Sequence, residues 1–330
     1  MSTASRSIFV EMAPFRIEPR FVGRVWGWND LHPWYKKVAR QEPIGEVWLT
    51  GDDCEVATGP HAKKTLAAIF DEMPRALLGK DAPHTDSPLL IKVIFAREKL
   101  SVQVHPDDRL AQKYGQPRGK TECWYALAAD PGAQVAVGLK SGVTMDQVRE
   151  GAEKGTLEES LNMLPVLAGD MIFVDAGTVH AIWPGSVLLE TQQNSDLTYR
   201  LYDYGRGREL HVDKSIEATR LQTQAGKIAP RALPDRTILL ESRYFVVEKI
   251  PVEVSRSSTT LRRAEESPTG LAYLFAASGT GRLSSPSFET VDLPSRSIVA
   301  VPAASPVFAV QDTGGLELIR ITPRWPSTNL

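Results

Sequence analysis

Four side chains in this sequence could gather around one cation. Gln103 and His105 stand two apart in K-L-S-V-Q-V-H-P-D-D, Glu122 follows in G-K-T-E-C-W-Y, and His180 ends A-G-T-V-H. Residues two apart on a strand project to one face. Extended backbone therefore sets Gln103 beside His105, and Lys120 beside Glu122. His180 comes just past a strand, behind a glycine turn that can swing its ring inward. Any one of these histidines taken alone reads as easily as a hydrogen-bonded core or loop residue. Two imidazoles and a carboxylate with an open coordination position suit zinc, while iron, manganese or cobalt accept the same donors. Read together, His105, Glu122 and His180 predict one divalent-metal site in a β-barrel, with Gln103 as a further candidate ligand.

More polar groups are aimed the same way. In N-S-D-L-T-Y-R-L-Y-D-Y, strand alternation puts Asp196, Thr198, Arg200 and Tyr202 on one face. A barrel lumen collecting carboxylate, amide, ammonium and guanidinium groups is expected to bind something, because unpaired buried charge is strongly destabilising. Lys92 interrupts the apolar run L-L-I-K-V-I-F-A. From its own segment it reads as an edge-strand lysine with its stem buried and its ammonium in water. Cys123 follows Glu122 directly and so points to the opposite face, where it reads as packing.

The elements that must position these groups are mostly strands. Residues 8–30 mix prolines and glycines with short apolar pieces, which suits an irregular arm over a β core. I-G-E-V-W-L-T-G-D (44–52) is a short strand, and 65–79 a helix broken near Pro74. From Pro88 branched residues dominate, and the β pattern runs through residue 139. Residues 144–164 read as helical, the stretches around 170–174 and 186–204 as strands, and H-V-D-K-S-I-E-A-T-R-L as a helix. A polar linker at roughly 222–235 predicts a catalytic domain over residues 1–225, carrying the arm and a helical insertion, and a second β domain over 236–330. No histidine follows His211, so the second domain is expected to be structural.

Composition narrows the function. A length of 330 residues with 42% hydrophobic and 24% charged residues is that of an ordinary globular protein. A net charge of −2 gives no reason to expect nucleic acid or an anionic membrane as partner. Two cysteines outside any C-x-x-C, no apolar leader and no spanning stretch lead to the expectation of a cytoplasmic protein. Oligomeric state is not legible.

The blocks I-G-E-V-W (44–48), P-L-L-I-K (88–92), K-L-S-V-Q-V-H-P-D-D (99–108), G-K-T-E-C-W-Y (119–125), A-G-T-V-H-A-I (176–182) and Q-Q-N-S-D-L-T-Y-R-L-Y-D-Y (192–204) occur in one order. In this the chain resembles the type I mannose-6-phosphate isomerases of the cupin superfamily, in their short bacterial form. The resemblance implies a mainly β fold of two cupin-type jelly-roll barrels, the C-terminal one without metal ligands. It implies zinc at His105, Glu122 and His180, with Gln103 as fourth ligand in some members. It makes Arg200 the active-site arginine, Lys92 a ligand of the substrate phosphate, and Lys120 and Asp196 pocket residues. The expected reaction is the aldose–ketose isomerisation of mannose 6-phosphate and fructose 6-phosphate through a cis-enediol, with either Lys120 or Asp196 as the base. A non-catalytic sugar-phosphate sensor, an isomerase of another sugar phosphate and a metal-dependent oxygenase are the rival readings. Three positions depart from the family pattern: Asp175 stands where proline is usual, Trp183 where glycine is common, and Gly119 where larger members carry a histidine. The Trp183 indole could narrow the pocket mouth or pack outward.

Overall fold

Period-two alternation governs the local structure, and the chain folds mainly as antiparallel strands. The computed structural model describes residues 11–36, 42–252, 259–261 and 270–325. Its strands form four sheets, and the chain divides into two units.

One unit comprises Arg20–Gly51 and Pro88–Pro230. Its larger sheet has seven strands in the order Gly226–Ile228, Met171–Val174, Glu122–Ala129, Ser186–Gln193, Leu89–Phe95, Ile44–Trp48 and Arg20–Trp28. Its smaller sheet has five: Tyr199–Tyr202, Val102–Val104, His180–Ile182, Gln134–Leu139 and Leu161–Pro165. Trp124, Ala126, Ile172, Val174 and Leu188 of the first sheet and Val135, Val137 and Ile182 of the second share one buried cluster. The two sheets therefore pack face to face. The other face of the five-stranded sheet presents Val102, Val104, Ala181, Tyr199 and Leu201 to the helices Met145–Lys154 and Val212–Ala218. The result is an open two-sheet jelly roll rather than a closed barrel.

The other unit takes the chain up to Pro19, Asp52–Ser87, and the chain from Arg231 on. It too has two sheets, of seven and four strands, around one apolar cluster. Two segments expected in the N-terminal domain belong here. Phe15–Ile17 pairs with the strand Ile298–Val301, and the helix Pro74–Leu78, which follows the helix Leu66–Glu72, accepts backbone bonds at Leu77 and Ala76 from the Ala303 and Ala304 N–H groups. Chain order alone gives no sign of partners so distant.

Three local expectations are also corrected. The arm is not irregular throughout, since Arg20–Trp28 pairs with Ile44–Trp48. Gly27 permits the close approach, because a Cβ there would lie 2.3 Å from the Ile44 carbonyl carbon. The helix expected over 144–164 ends at Lys154, at the left-handed Gly155, and a 3-10 turn then leads into the strand Leu161–Pro165. The linker expected at 222–235 includes the strand Gly226–Ile228, paired with Met171–Phe173. Among the described residues no helix is long and apolar enough to cross a membrane.

Candidate metal centre and pocket

The inward faces of the first unit change character along their length. In the seven-stranded sheet Ala126, Leu188 and Ile94 lie at one end of the interior. Two residues along each strand, the same face carries Trp124, Glu190 and Lys92, which stand abreast in register, and beyond them Glu122 stands opposite Gln192. In the five-stranded sheet His180 pairs with Gln103, and Gln103 with Arg200, so the three side chains project together from one face. One end of the sandwich is an apolar core and the other a polar pocket, built from the same strands.

His105, Glu122 and His180 meet there with their ligand atoms all within 4.8 Å of one another. All three are buried. Each imidazole is oriented from behind. His105 Nδ1–H donates to the Leu197 carbonyl oxygen at 2.9 Å, and His180 Nδ1–H to that of Thr178 at 2.9 Å. A carbonyl only accepts, so each Nδ1 carries the proton and each neutral ring turns the lone pair of Nε2 inward. Burial, and then the Lys120 charge, press the His105 imidazole down to about 3, and burial also lowers His180. Glu122 stays ionised: burial pushes its carboxyl up, but the neighbouring positive charge, Lys120 foremost, holds it well below the usual range. His105 Nε2 lies 3.4 Å from one Glu122 oxygen and His180 Nε2 3.3 Å from the other.

These contacts set lone pairs against lone pairs. His105 Nε2 and Glu122 Oε1 are buried without a hydrogen-bond partner, and the other Glu122 oxygen has the Lys120 ammonium beside it at 3.0 Å. Such groups repel one another unless a cation lies between them, and two neutral imidazoles with one carboxylate form a donor set for a divalent metal. The residues present therefore fit the expected ion. Gln103 fits less directly: its Nε2 faces His180 Nε2 at 3.2 Å, and a ligand role requires the amide to turn so that its oxygen points inward.

Around the centre, Lys120 Nζ lies 3.0 Å from Glu122 and 3.8 Å from Glu190. Lys92 departs from the edge-strand reading. It is in an inner strand, 3% exposed, with its ammonium 3.0 Å from Glu190 and 3.4 Å from Glu46. Burial opposes its charge, but Glu190, Glu46 and Asp196 outweigh it and keep the ammonium protonated. It is no edge lysine reaching water; its ammonium is shared by two carboxylates. Asp196 is exposed in the turn between Gln193 and Tyr199, and Arg200 donates through Nη1 to the Glu209 carbonyl oxygen at 2.8 Å. Sequence reading missed Glu190 and Glu46. The signal for Glu190 was present: it is the only charge in S-V-L-L-E-T-Q-Q, as Lys92 is in the strand paired with it.

The three departures now have physical accounts. A Cβ at Gly119 would fall 2.5 Å from the Pro106 carbonyl oxygen and 2.7 Å from the Asp108 nitrogen, so no side chain fits there. Asp175 accepts from Thr178 Oγ1 at 2.9 Å and from the Gln224 N–H at 3.2 Å, bracing the turn that delivers His180. Trp183 packs outward with the residues under the two helices, its ring beneath Lys99 Nζ at 5.0 Å. Cys123 is buried and free.

Comparison with known proteins bears on what such a pocket does. Residues 16–161 match the family described as phosphomannose isomerase type I, catalytic domain. The chain is 32% identical over 280 residues to the mannose-6-phosphate isomerase of Streptococcus mutans, covering 81% of this chain and 86% of that one. It is 36% identical over 251 residues to mannose-6-phosphate isomerase ManA of Bacillus subtilis, covering 72% and 78%. The crystal structure of the Bacillus subtilis mannose 6-phosphate isomerase superposes with a TM-score of 0.83 at 29% identity, over 94% of this chain and 99% of that one. Identity sustained over most of both chains, on one backbone, reflects common descent rather than a shared sandwich alone, and this chain belongs to the type I mannose-6-phosphate isomerases, a family of aldose–ketose isomerases.

Proposed function

We propose that the protein interconverts mannose 6-phosphate and fructose 6-phosphate by moving a proton between C2 and C1 of the open-chain sugar through a cis-enediol. His105, Glu122 and His180 hold one divalent cation, for which zinc suits the donor set best, with Gln103 in reach as a fourth ligand. Once bound, the cation supplies Lewis-acid stabilisation of charge developing on the sugar oxygens. The observation that carries this reading is the convergence of two neutral imidazoles and a carboxylate, one of whose oxygens has no hydrogen-bond donor, in the polar end of a sandwich from this family. Arg200, on the same face as Gln103 and His180, orients the sugar and stabilises the enediolate, since a guanidinium is a poor base. Proton transfer falls to Lys120, beside the metal ligand Glu122, or to Asp196 in the turn leading to Arg200. The two candidates differ in their surroundings, Lys120 being buried and Asp196 exposed.

The test joins elemental analysis of the purified protein to a coupled assay on mannose 6-phosphate and on other hexose and pentose phosphates. We expect about one zinc per chain, turnover of mannose 6-phosphate, and loss of both on chelation with recovery on adding zinc. A protein that holds metal and binds the sugar phosphate without turnover would be a sensor. Iron with substrate-dependent oxygen uptake would make it an oxygenase.

A further inference from the structure

Six ionisable side chains cross the inner face of the seven-stranded sheet in a line, alternating in sign. Arg24 Nη2 lies 2.8 Å from Glu46, whose other oxygen is 3.4 Å from Lys92 Nζ. Lys92 is 3.0 Å from Glu190 Oε1, and that same oxygen is 3.8 Å from Lys120 Nζ, which sits 3.0 Å from Glu122. Two indoles pin the intermediate carboxylates from their other sides: Trp48 Nε1–H donates to Glu46 and Trp124 Nε1–H to Glu190, each at 2.9 Å. Strand register builds the line, because Trp48, Lys92, Glu190 and Trp124 stand opposite one another on successive strands.

We propose that Glu46 is a positioning residue for the isomerisation: by sharing Lys92 with Glu190, it leaves Glu190 free to hold Lys120 at the metal ligands. Lys92 is then the counter-ion of two carboxylates and not the group that grips the phosphate. One carboxylate oxygen serves two ammonium groups here, so a tighter grip on one loosens the other. Without the Glu46 charge, Lys92 has a single anionic neighbour in the line and closes onto Glu190, drawing that oxygen away from Lys120. Arg24, at the partly exposed end, keeps Glu46 ionised although the carboxylate is buried. Burial alone would raise the Glu46 carboxyl, but Lys92 and Arg24 bring it to about 2.

The inference rests on the isomerase reading, so wild-type turnover is measured first, and an inactive wild type overturns both. Glu46→Gln keeps the shape and an acceptor for Trp48 while removing the charge. We expect kcat to fall about 10–100-fold, as for other supporting residues around metal sites, with KM and metal content within about twofold of wild type. Glu46→Asp should recover part of the loss. Arg24→Gln, which changes only the partly exposed end, should lower kcat in the same direction by less, and it carries the test if Glu46→Gln does not fold. Competitive inhibition by inorganic phosphate should be unchanged in Glu46→Gln and in Lys92→Met. Wild-type kcat in folded Glu46→Gln and Arg24→Gln overturns the positioning role. A tenfold weaker inhibition by phosphate in Lys92→Met returns Lys92 to the phosphate. A parallel loss of metal and melting temperature with kcat in both variants reduces the line to a structural one and also overturns the proposal.

Discussion

Replacing Gly119 by alanine adds one methyl group at a point where three backbone atoms, Pro106 O, Asp107 C and Asp108 N, already lie within 2.7 Å of its position. None of them is the end of a flexible side chain, so two segments must move apart. One carries His105, the other Lys120 and Glu122. Their junction is a pair of hydrogen bonds, from Lys120 N–H to the Pro106 carbonyl at 3.0 Å and from Gly119 N–H to Asp108 Oδ1 at 2.9 Å. Overpacking in a rigid site costs about 1–3 kcal/mol, and each stretched hydrogen bond about 1 kcal/mol more. A loss of about 3–5 kcal/mol of stability follows, which lowers Tm by roughly 6–20 °C in a domain of this size. The displacement falls directly on the spacing of His105 and Glu122. A misplacement of about 1 Å is enough to reduce turnover about 10²-fold, and zinc affinity should weaken with it. Calorimetry, zinc content and steady-state turnover of Gly119→Ala measure all three. Unchanged Tm and activity would refute the argument that this glycine exists to let two strand ends touch, and would reopen the position to the side chain found in larger relatives.

Acid should loosen the metal-free protein. The His105 imidazole titrates near 3 when folded and near 6.5 when unfolded, so between those values the unfolded chain binds more protons. Its contribution is complete above about pH 6.5 and declines as pH falls, by about 2 kcal/mol at pH 5. His180 acts in the same direction. Glu190, pushed up by burial and by Glu122, opposes them, leaving two imidazoles against one carboxyl. Urea unfolding of the chelated protein at pH 7 and pH 5 should show a lower midpoint at pH 5, and an unchanged or higher midpoint would contradict the neutral, buried state of the histidines. Trp183→Ala should destabilise by about 2 kcal/mol, since the ring is only partly buried, and leave KM for mannose 6-phosphate within twofold. A raised KM at unchanged Tm would mean that the indole lines the pocket after all.

What could be read from the sequence followed the two-residue period of strands. Q-V-H and G-K-T-E set their polar residues on one face without reference to anything distant, and the structure brings those side chains together. Trp183 was legible by the same rule: at an odd offset from His180 it belongs on the opposite face, with Ala181, and that is where it packs. Lys92 was not, because its surroundings come from Glu46 and Glu190 on neighbouring strands, and a single segment records only that a charge interrupts an apolar run. The division into units was hidden for a related reason. The strand Phe15–Ile17 and the helix Pro74–Leu78 find their partners around residues 298–304, and neither end of those pairings carries a local mark of the other.

The second unit shows that the pocket is a property of a few inward positions and not of the architecture. It too has two antiparallel sheets around one interior, where Leu274, Ala276, Leu283, Val299, Phe308, Val310 and Leu318 pack together and the charges Glu248 and Arg320, opposite Leu274 in register, pair with each other. No metal-ligating cluster occurs there among the described residues. In the first unit the same kind of interior stays apolar at Ile94, Ala126 and Leu188, then turns ionisable at Lys92, Glu122 and Glu190 on those same strands. Apolar packing at one end holds the register that aligns the charges at the other. A slip of one residue would exchange Glu122 for Cys123 and turn the pocket inside out, so the strength of the apolar end sets how faithfully the polar end can be assembled.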